Sequence, residues 1–197
     1  MITLTNEDNM QMMARYPDKH FDLAIVDPPY GIGISSNPIR QKHTKKLWDN
    51  SIPNDRYFKE LFRISNNQII WGGNYFNLPP SQGFLIWDKK QPFDFSLAMC
   101  EYAWMSFQKP AKIFTFSIQT KQNKIHPTQK PVALYKWILD KYANQGDKIL
   151  DTHLGSGSIA IACHDYGFDL TACELDTEYY NAALKRYNNH IQQIKLF

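Results

Sequence analysis

Short apolar runs alternate along this chain with longer stretches whose apolar positions fall three or four apart. Residues 21–27 contain the continuous run Leu23-Ala24-Ile25-Val26, the pattern of a strand covered on both faces. Strand patterns also occur at 2–5, 68–71, 84–87, 102–107, 113–116, 148–151 and 170–175. The pair 102–107 and 113–116 reads as two adjacent strands joined by Gln108-Lys109-Pro110-Ala111. Helical spacing predicts helices over 9–15, 55–64, 156–166 and 177–193. A fifth helix opens at Pro131 and runs to about residue 143, with Gly146 as its stop. Helices and strands alternate after residue 131, which implies a parallel sheet. Consecutive strands in the middle make that sheet mixed. Residues 31–54 and 117–128 show no periodicity and read as long loops.

The chain of 197 residues, 43% hydrophobic, is long enough for one domain with a proper core. It has no run of 18 apolar residues, and its first residues lack the basic and apolar regions of a signal peptide. Cys100, Cys163 and Cys173 lie in apolar stretches and read as reduced core residues. A cytoplasmic protein without a metal site is expected. The net charge is only +3, yet the basic residues are concentrated. Between Asp27 and Asp49 there are Arg40, Lys42, Lys45 and Lys46 and no acid. Between Glu101 and Asp140 there are six lysines and again no acid. Such windows are either solvated loops or a face for a polyanion.

Two motifs carry the chemistry. Asp27-Pro28-Pro29-Tyr30 stands at the end of the buried strand, where open α/β sheets place their ligands. Its prolines stiffen the corner and remove two N–H donors, so an acid, free carbonyls and an aromatic ring face outward. Far downstream, Asp151-Thr152-His153-Leu154-Gly155-Ser156-Gly157 joins a strand to a helix. Gly155 and Gly157 permit a tight turn and close approach of a ligand to the backbone. Glu174 ends the next strand, about 20 residues on, where an acid is placed for ribose hydroxyls. The third glycine and the lysine of phosphate-binding loops are missing. The alternatives are a nucleoside-type ligand or a structural turn.

Together these motifs resemble the amino-methyltransferases that modify exocyclic amines of DNA bases with S-adenosylmethionine. The tetrapeptide precedes the glycine loop, which is the order of the permuted β class. His126-Pro127-Thr128-Gln129-Lys130-Pro131 resembles that family's segment before the cofactor loop. Glu7 stands where the family commonly has glycine, and Thr152-His153 where it has Pro-Phe or Pro-Cys. The resemblance implies a Rossmann-like methyltransferase α/β fold, a mixed, mostly parallel seven-stranded sheet flanked by helices. It implies catalytic roles for Asp27, Pro28 and Tyr30. It also implies cofactor contacts from Asp8, Asp27, Thr128, Lys130, Asp151, Gly155, Gly157 and Glu174. Asp8 would meet the adenine, and Lys130 would pair with the methionine carboxylate or serve only as a helix-start lysine. His153 would pack or line the cofactor site.

On this resemblance the expected activity is transfer of a methyl group to adenine N6 of a base flipped out of double-stranded DNA. Tyr30 would stack on that base. Arg40, Lys42, Lys45 and Lys46, in the loop after the corner, would contact the DNA, with 117–125 as a second DNA-contacting loop. So little recognition surface implies a homodimer, a partner subunit, or a very short, relaxed recognition site. Rival readings are a cytosine-N4 or RNA enzyme, a non-catalytic DNA-binding module, and an NAD-dependent enzyme. The short glycine loop and its late position in the chain disfavour the last.

Overall fold

The computed structural model describes residues 1–33, 49–92, 94, 98–117 and 124–193. Arg40, Lys42, Lys45 and Lys46, and residues 118–123 of the second basic loop, lie outside that description.

The elements in order are β1 (Ile2–Asn6), α1 (Asn9–Met13), β2 (Phe21–Val26), α2 (Asp55–Ile64), β3 (Ser65–Trp71), β4 (Phe84–Asp88), β5 (Cys100–Met105), β6 (Lys112–Thr115), α3 (Val132–Tyr142), β7 (Lys148–Asp151), α4 (Ser158–Tyr166), β8 (Asp169–Glu174) and α5 (Thr177–Gln192). All eight strands join one sheet in the order β1-β8-β7-β2-β3-β5-β4-β6. The sheet therefore has eight strands rather than seven. It is parallel except where β5 lies antiparallel to β3 and β4.

Alternate side chains of β2 enter opposite cores. Leu23 and Ile25 pack under α3 and α4 with Leu134, Ile138, Ile159 and Cys163. Ala24 and Val26 pack under α1 and α2 with Met12, Met13, Tyr57 and Leu61. Burial on both faces explains the unbroken apolar run. Asn54 caps α2 by accepting from the Tyr57 N–H, and Asp176 caps α5 by accepting from Glu178 and Tyr179. Pro131 is the cap residue of α3, in extended conformation, and not its first turn. The helix ends at Tyr142, and Gly146 (φ +92°) serves the turn into β7 instead.

The predicted pairing of 102–107 with 113–116 is not made. β5 sits between β3 and β4, and β6 lies beyond β4, parallel to it. The connection must then pass over the start of β4. Gly83 stands there, and a Cβ on it would lie 2.0 Å from the Lys109 carbonyl oxygen. Only glycine lets the crossing chain come so close. Cys163 and Cys173 are buried as expected, but Cys100 is exposed.

Chain direction across the sheet reverses between β2 and β7. β2 leads outward to β3 on one side, whereas β7 leads to β8 on the other. The carboxyl ends of the two strands thus open a crevice at a topological switch point. Asp27 follows β2, and Asp151 ends β7.

Candidate active site

A cavity of about 330 Å³ occupies this crevice. Asp8, Asp27, Thr128, Lys130, Gly155 and Glu174 line it, so six of the predicted cofactor residues converge. Tyr57, His126 and His153 line it as well. Among the described residues that line it, the carboxylates are Glu7, Asp8, Asp27 and Glu174, and the one lysine is Lys130. Such a balance suits a ligand bearing positive charge.

On the β8 side, backbone donors hold the acid. Glu174 Oε2 accepts from the Gly155 N–H at 2.8 Å, and Oε1 from the Asp176 N–H at 3.0 Å. Gly155 has φ +52°, a conformation that points its amide at the carboxylate at no steric cost. Gly157 does not line the cavity. It starts α4 at φ +70°, and a Cβ there would meet the Ala183 Cβ of α5 at 3.2 Å, so its role is packing. Asp151 is likewise behind the wall. It accepts from the His153 N–H, and burial pushes its carboxyl up to about 8. Asp8 caps α1, accepting from Met10 and Gln11 through Oδ1.

His153 both packs and lines the cavity. Its Nε2 lies 3.0 Å from Asn9 Nδ2, and its Nδ1 lies 2.9 Å from Thr152 Oγ1. The Asn9 NH2 only donates, so Nε2 accepts and Nδ1 carries the proton. Thr152 Oγ1 in turn meets the Tyr57 hydroxyl at 2.6 Å. Burial lowers His153 to about 3, so the ring stays neutral in this chain of hydrogen bonds.

On the β2 side, side chains hold the acid. Asp27 Oδ1 accepts from the Tyr30 hydroxyl at 2.6 Å, and Oδ2 accepts from Lys130 Nζ. Burial raises the Asp27 carboxyl above its ordinary range. Lys130 and Tyr30 oppose that, and Glu101 adds to it. Lys130, only 3% exposed, also faces Glu101 Oε2 at 3.0 Å, and Glu101 Oε1 pairs with Lys89 at 2.7 Å. Burial raises the Glu101 carboxyl, but the two lysines outweigh it and bring it down to about 2. The Lys130 ammonium is thus engaged with Asp27 and Glu101 instead of projecting free as the expected methionine-carboxylate partner.

The corner itself is clamped from below. Asp49, 1% exposed, accepts from the Tyr30 and Gly31 N–H groups at 2.8 and 3.0 Å through one oxygen. The Pro28 carbonyl accepts no hydrogen bond from the described residues. The Tyr30 ring does not face outward as expected. It stacks on Tyr75, with centroids 5.0 Å apart and planes 12° apart, and is not part of the cavity wall. Gly72 makes this possible: at φ +69°, its Cβ would lie 2.1 Å from the ring.

Asp49, Gly72, Glu101 and Lys89 were not singled out from the sequence. Gly72-Gly73 signals only a turn, and a lone acid or lysine near a strand end carries no pattern. Among the described residues, no group of three or more His, Cys, Asp or Glu is placed to hold a metal. No described helix is long and apolar enough to cross a membrane.

A Rossmann-like α/β sheet with this crevice defines the methyltransferase fold. Comparisons with known proteins agree. The structure of an M1.HpyAVI–SAM complex superposes with a TM-score of 0.66 at 20% identity, over 95% of this chain and all of that one. The cytosine-N4-specific PvuII DNA methyltransferase gives 0.64 at 13% identity, over 94% of this chain and 88% of that one. Residues 104–185 match the N6/N4 DNA methylase family model. Type II methyltransferase M.HpaI of Haemophilus parainfluenzae is 32% identical over 83 residues, 41% of this chain. That matched stretch spans about a quarter (26%) of M.HpaI.

Proposed function

We propose that this protein transfers a methyl group from S-adenosylmethionine to an exocyclic amine of a base in DNA, with adenine N6 as the target. The observation that carries the reading is the Asp27 carboxylate in the wall of a nucleoside-sized cavity; the next residue, Pro28, is buried and not itself in that wall, and its carbonyl has no partner among the described residues. A volume of about 330 Å³ is within the range of small-ligand sites. Glu174 and Asp8, at the carboxyl ends of adjacent β8 and β1, would hold the ribose and the adenine of the cofactor. Asp27 would face its positive end. S-adenosylmethionine supplies a methyl group already activated on sulfur.

The protein's task is then to prepare the amine. A base amine is a weak nucleophile because its lone pair is delocalised into the ring. Asp27 accepts one amine hydrogen and the Pro28 carbonyl the other, which favours a pyramidal nitrogen and stabilises its growing positive charge. Positioning matters more than basicity, because the methyl group needs no activation from the protein. The Tyr30 hydroxyl fixes the Asp27 carboxylate, and Asp49 fixes the corner. Arg40, Lys42, Lys45 and Lys46 would bind phosphates of double-stranded DNA, giving salt-dependent affinity. A second copy or a partner subunit would supply the remaining recognition surface.

The likeness to the PvuII enzyme favours a second reading in which cytosine N4 receives the methyl group. Incubating the protein with S-adenosylmethionine and unmethylated duplex DNA, then analysing nucleosides by mass spectrometry, separates the two. N6-methyladenine supports the first reading and N4-methylcytosine the second. Methylated RNA alone, or no product, contradicts both.

A further inference from the structure

Behind the corner, four charged side chains from four separate segments form an alternating row: Lys89 after β4, Glu101 on β5, Lys130 before α3 and Asp27 after β2. The row is balanced, two acids against two ammonium groups, and lies beside the Trp71 ring, 5.1 Å from Lys130 Nζ. Burying four charges is costly unless each is paired, so a purely structural role would be served better by apolar side chains. The pairing is also unequal. Lys130 hydrogen-bonds Asp27 Oδ2, whereas Glu101 Oε2 is buried and has no aligned donor among the described residues, although the ammonium is 3.0 Å away. Lys130 therefore stands between two acceptors, hydrogen-bonded to Asp27 Oδ2 and paired less directly with Glu101 Oε2.

This arrangement bears on the chemistry. Asp27 Oδ2 is occupied by Lys130, and Oδ1 by Tyr30. An incoming amine hydrogen needs one of these oxygens. The Lys130 backbone is fixed, because its carbonyl accepts from Ser158 Oγ at 2.7 Å and Ser158 is itself held by Arg186. A shift of the ammonium end alone would bring it wholly onto Glu101 Oε2, already 3.0 Å away.

We propose that Glu101, held by Lys89, is a positioning residue for Asp27: it takes over the Lys130 ammonium when the base amine takes Asp27 Oδ2. The inference rests on the methyl-transfer reading above. Lys130 stays charged in both positions. Burial alone would lower its ammonium, but Asp27 and Glu101 together hold it above the ordinary lysine range. The other titratable groups packed round Asp27 are Tyr30, Tyr57 of α2, Tyr135 of α3 and Asp151 of β7. None of them is a cation that could replace Lys130.

The test is Glu101→Gln in the full chain, beside Lys89→Met/Glu101→Gln. The double variant removes one acid and one base and so keeps the row balanced if the single variant folds poorly. With Glu101 gone, Lys130 settles wholly on Asp27. The Asp27 carboxyl, followed by carbon-13 NMR, should titrate at lower pH than in the parent. Turnover should fall on the order of tenfold, with KM for S-adenosylmethionine and for DNA unchanged. Loss of the Glu101 charge lowers the Asp27 titration whatever its role, so the discriminating readout is turnover: a structural role would lower stability and leave turnover per folded molecule at the parent's value. Parental turnover, whether or not the titration moves, overturns the proposal. A parent that methylates no DNA overturns the methyl-transfer reading instead, and the NMR titration still decides whether Glu101 governs the charge on Asp27.

Discussion

Asp27 and Glu174 are both carboxylates at the carboxyl edge of one sheet, lining one cavity, and they are held in opposite ways. Glu174 is fixed by two backbone N–H groups, from Gly155 and Asp176. Asp27 is held by two side chains, Tyr30 and Lys130. Backbone donors belong to the turn and cannot leave without unfolding it. Side-chain donors can exchange. The first arrangement makes a rigid binding acid, and the second an acceptor whose partners can give way to a substrate. Asp151, between them on β7, is a third case: among the described residues it has one backbone donor and no ion pair, and burial raises its carboxyl to about 8.

The largest effect should come from the exchangeable acid. Asp27→Asn offers the amine a poorer acceptor and should lower turnover by about 10²- to 10³-fold, with S-adenosylmethionine binding retained by calorimetry. Glu174→Gln should do the reverse, weakening cofactor affinity by about 10- to 100-fold, the worth of hydrogen bonds to a charged group. Its turnover at saturating cofactor should stay close to the parent's. Gly72→Ala probes the packing under the corner. Its Cβ would collide with the Tyr30 ring at a left-handed backbone position, costing about 1–3 kcal/mol in chemical denaturation.

The last comparison is read from pH and concerns Asp151. Its folded carboxyl keeps its proton up to about 8, whereas the unfolded chain releases it near the ordinary value of 3.8. The unfolded state therefore binds fewer protons across that window, and this group's contribution to stability falls as pH rises through it. Asp151→Asn keeps an oxygen for the His153 N–H and removes the titration. Parent and variant should be similar below about pH 4, and the variant increasingly more stable as pH rises to about 8. A constant difference between them would mean that Asp151 is ionised throughout.

The contrast between the acids also explains what the sequence discloses. Asp27, Gly155 and Glu174 are legible because a local pattern places them: a buried run followed by prolines, or glycines between strand and helix at a fixed distance from an acid. Their partners are not local. Lys89, Glu101 and Asp49 reach the corner only because β5 lies between β3 and β4 and the chain returns beneath Tyr30. The misplaced pairing of β5 with β6 has the same origin. Sequence adjacency suggested a hairpin, and only the close crossing at Gly83 shows why the chain goes over β4. The stiff corner before Tyr30 predicts an outward ring. Gly72, which makes room for it to turn onto Tyr75, is a turn residue by every local signal.

The central claim is that one acid works on the reaction and the other on binding. Single-turnover methyl transfer to duplex DNA at saturating S-adenosylmethionine, with Asp27→Asn and Glu174→Gln side by side, tests it most directly. The account predicts that Asp27→Asn loses the transfer step and Glu174→Gln keeps it. Transfer by Asp27→Asn at the parent's rate would contradict it.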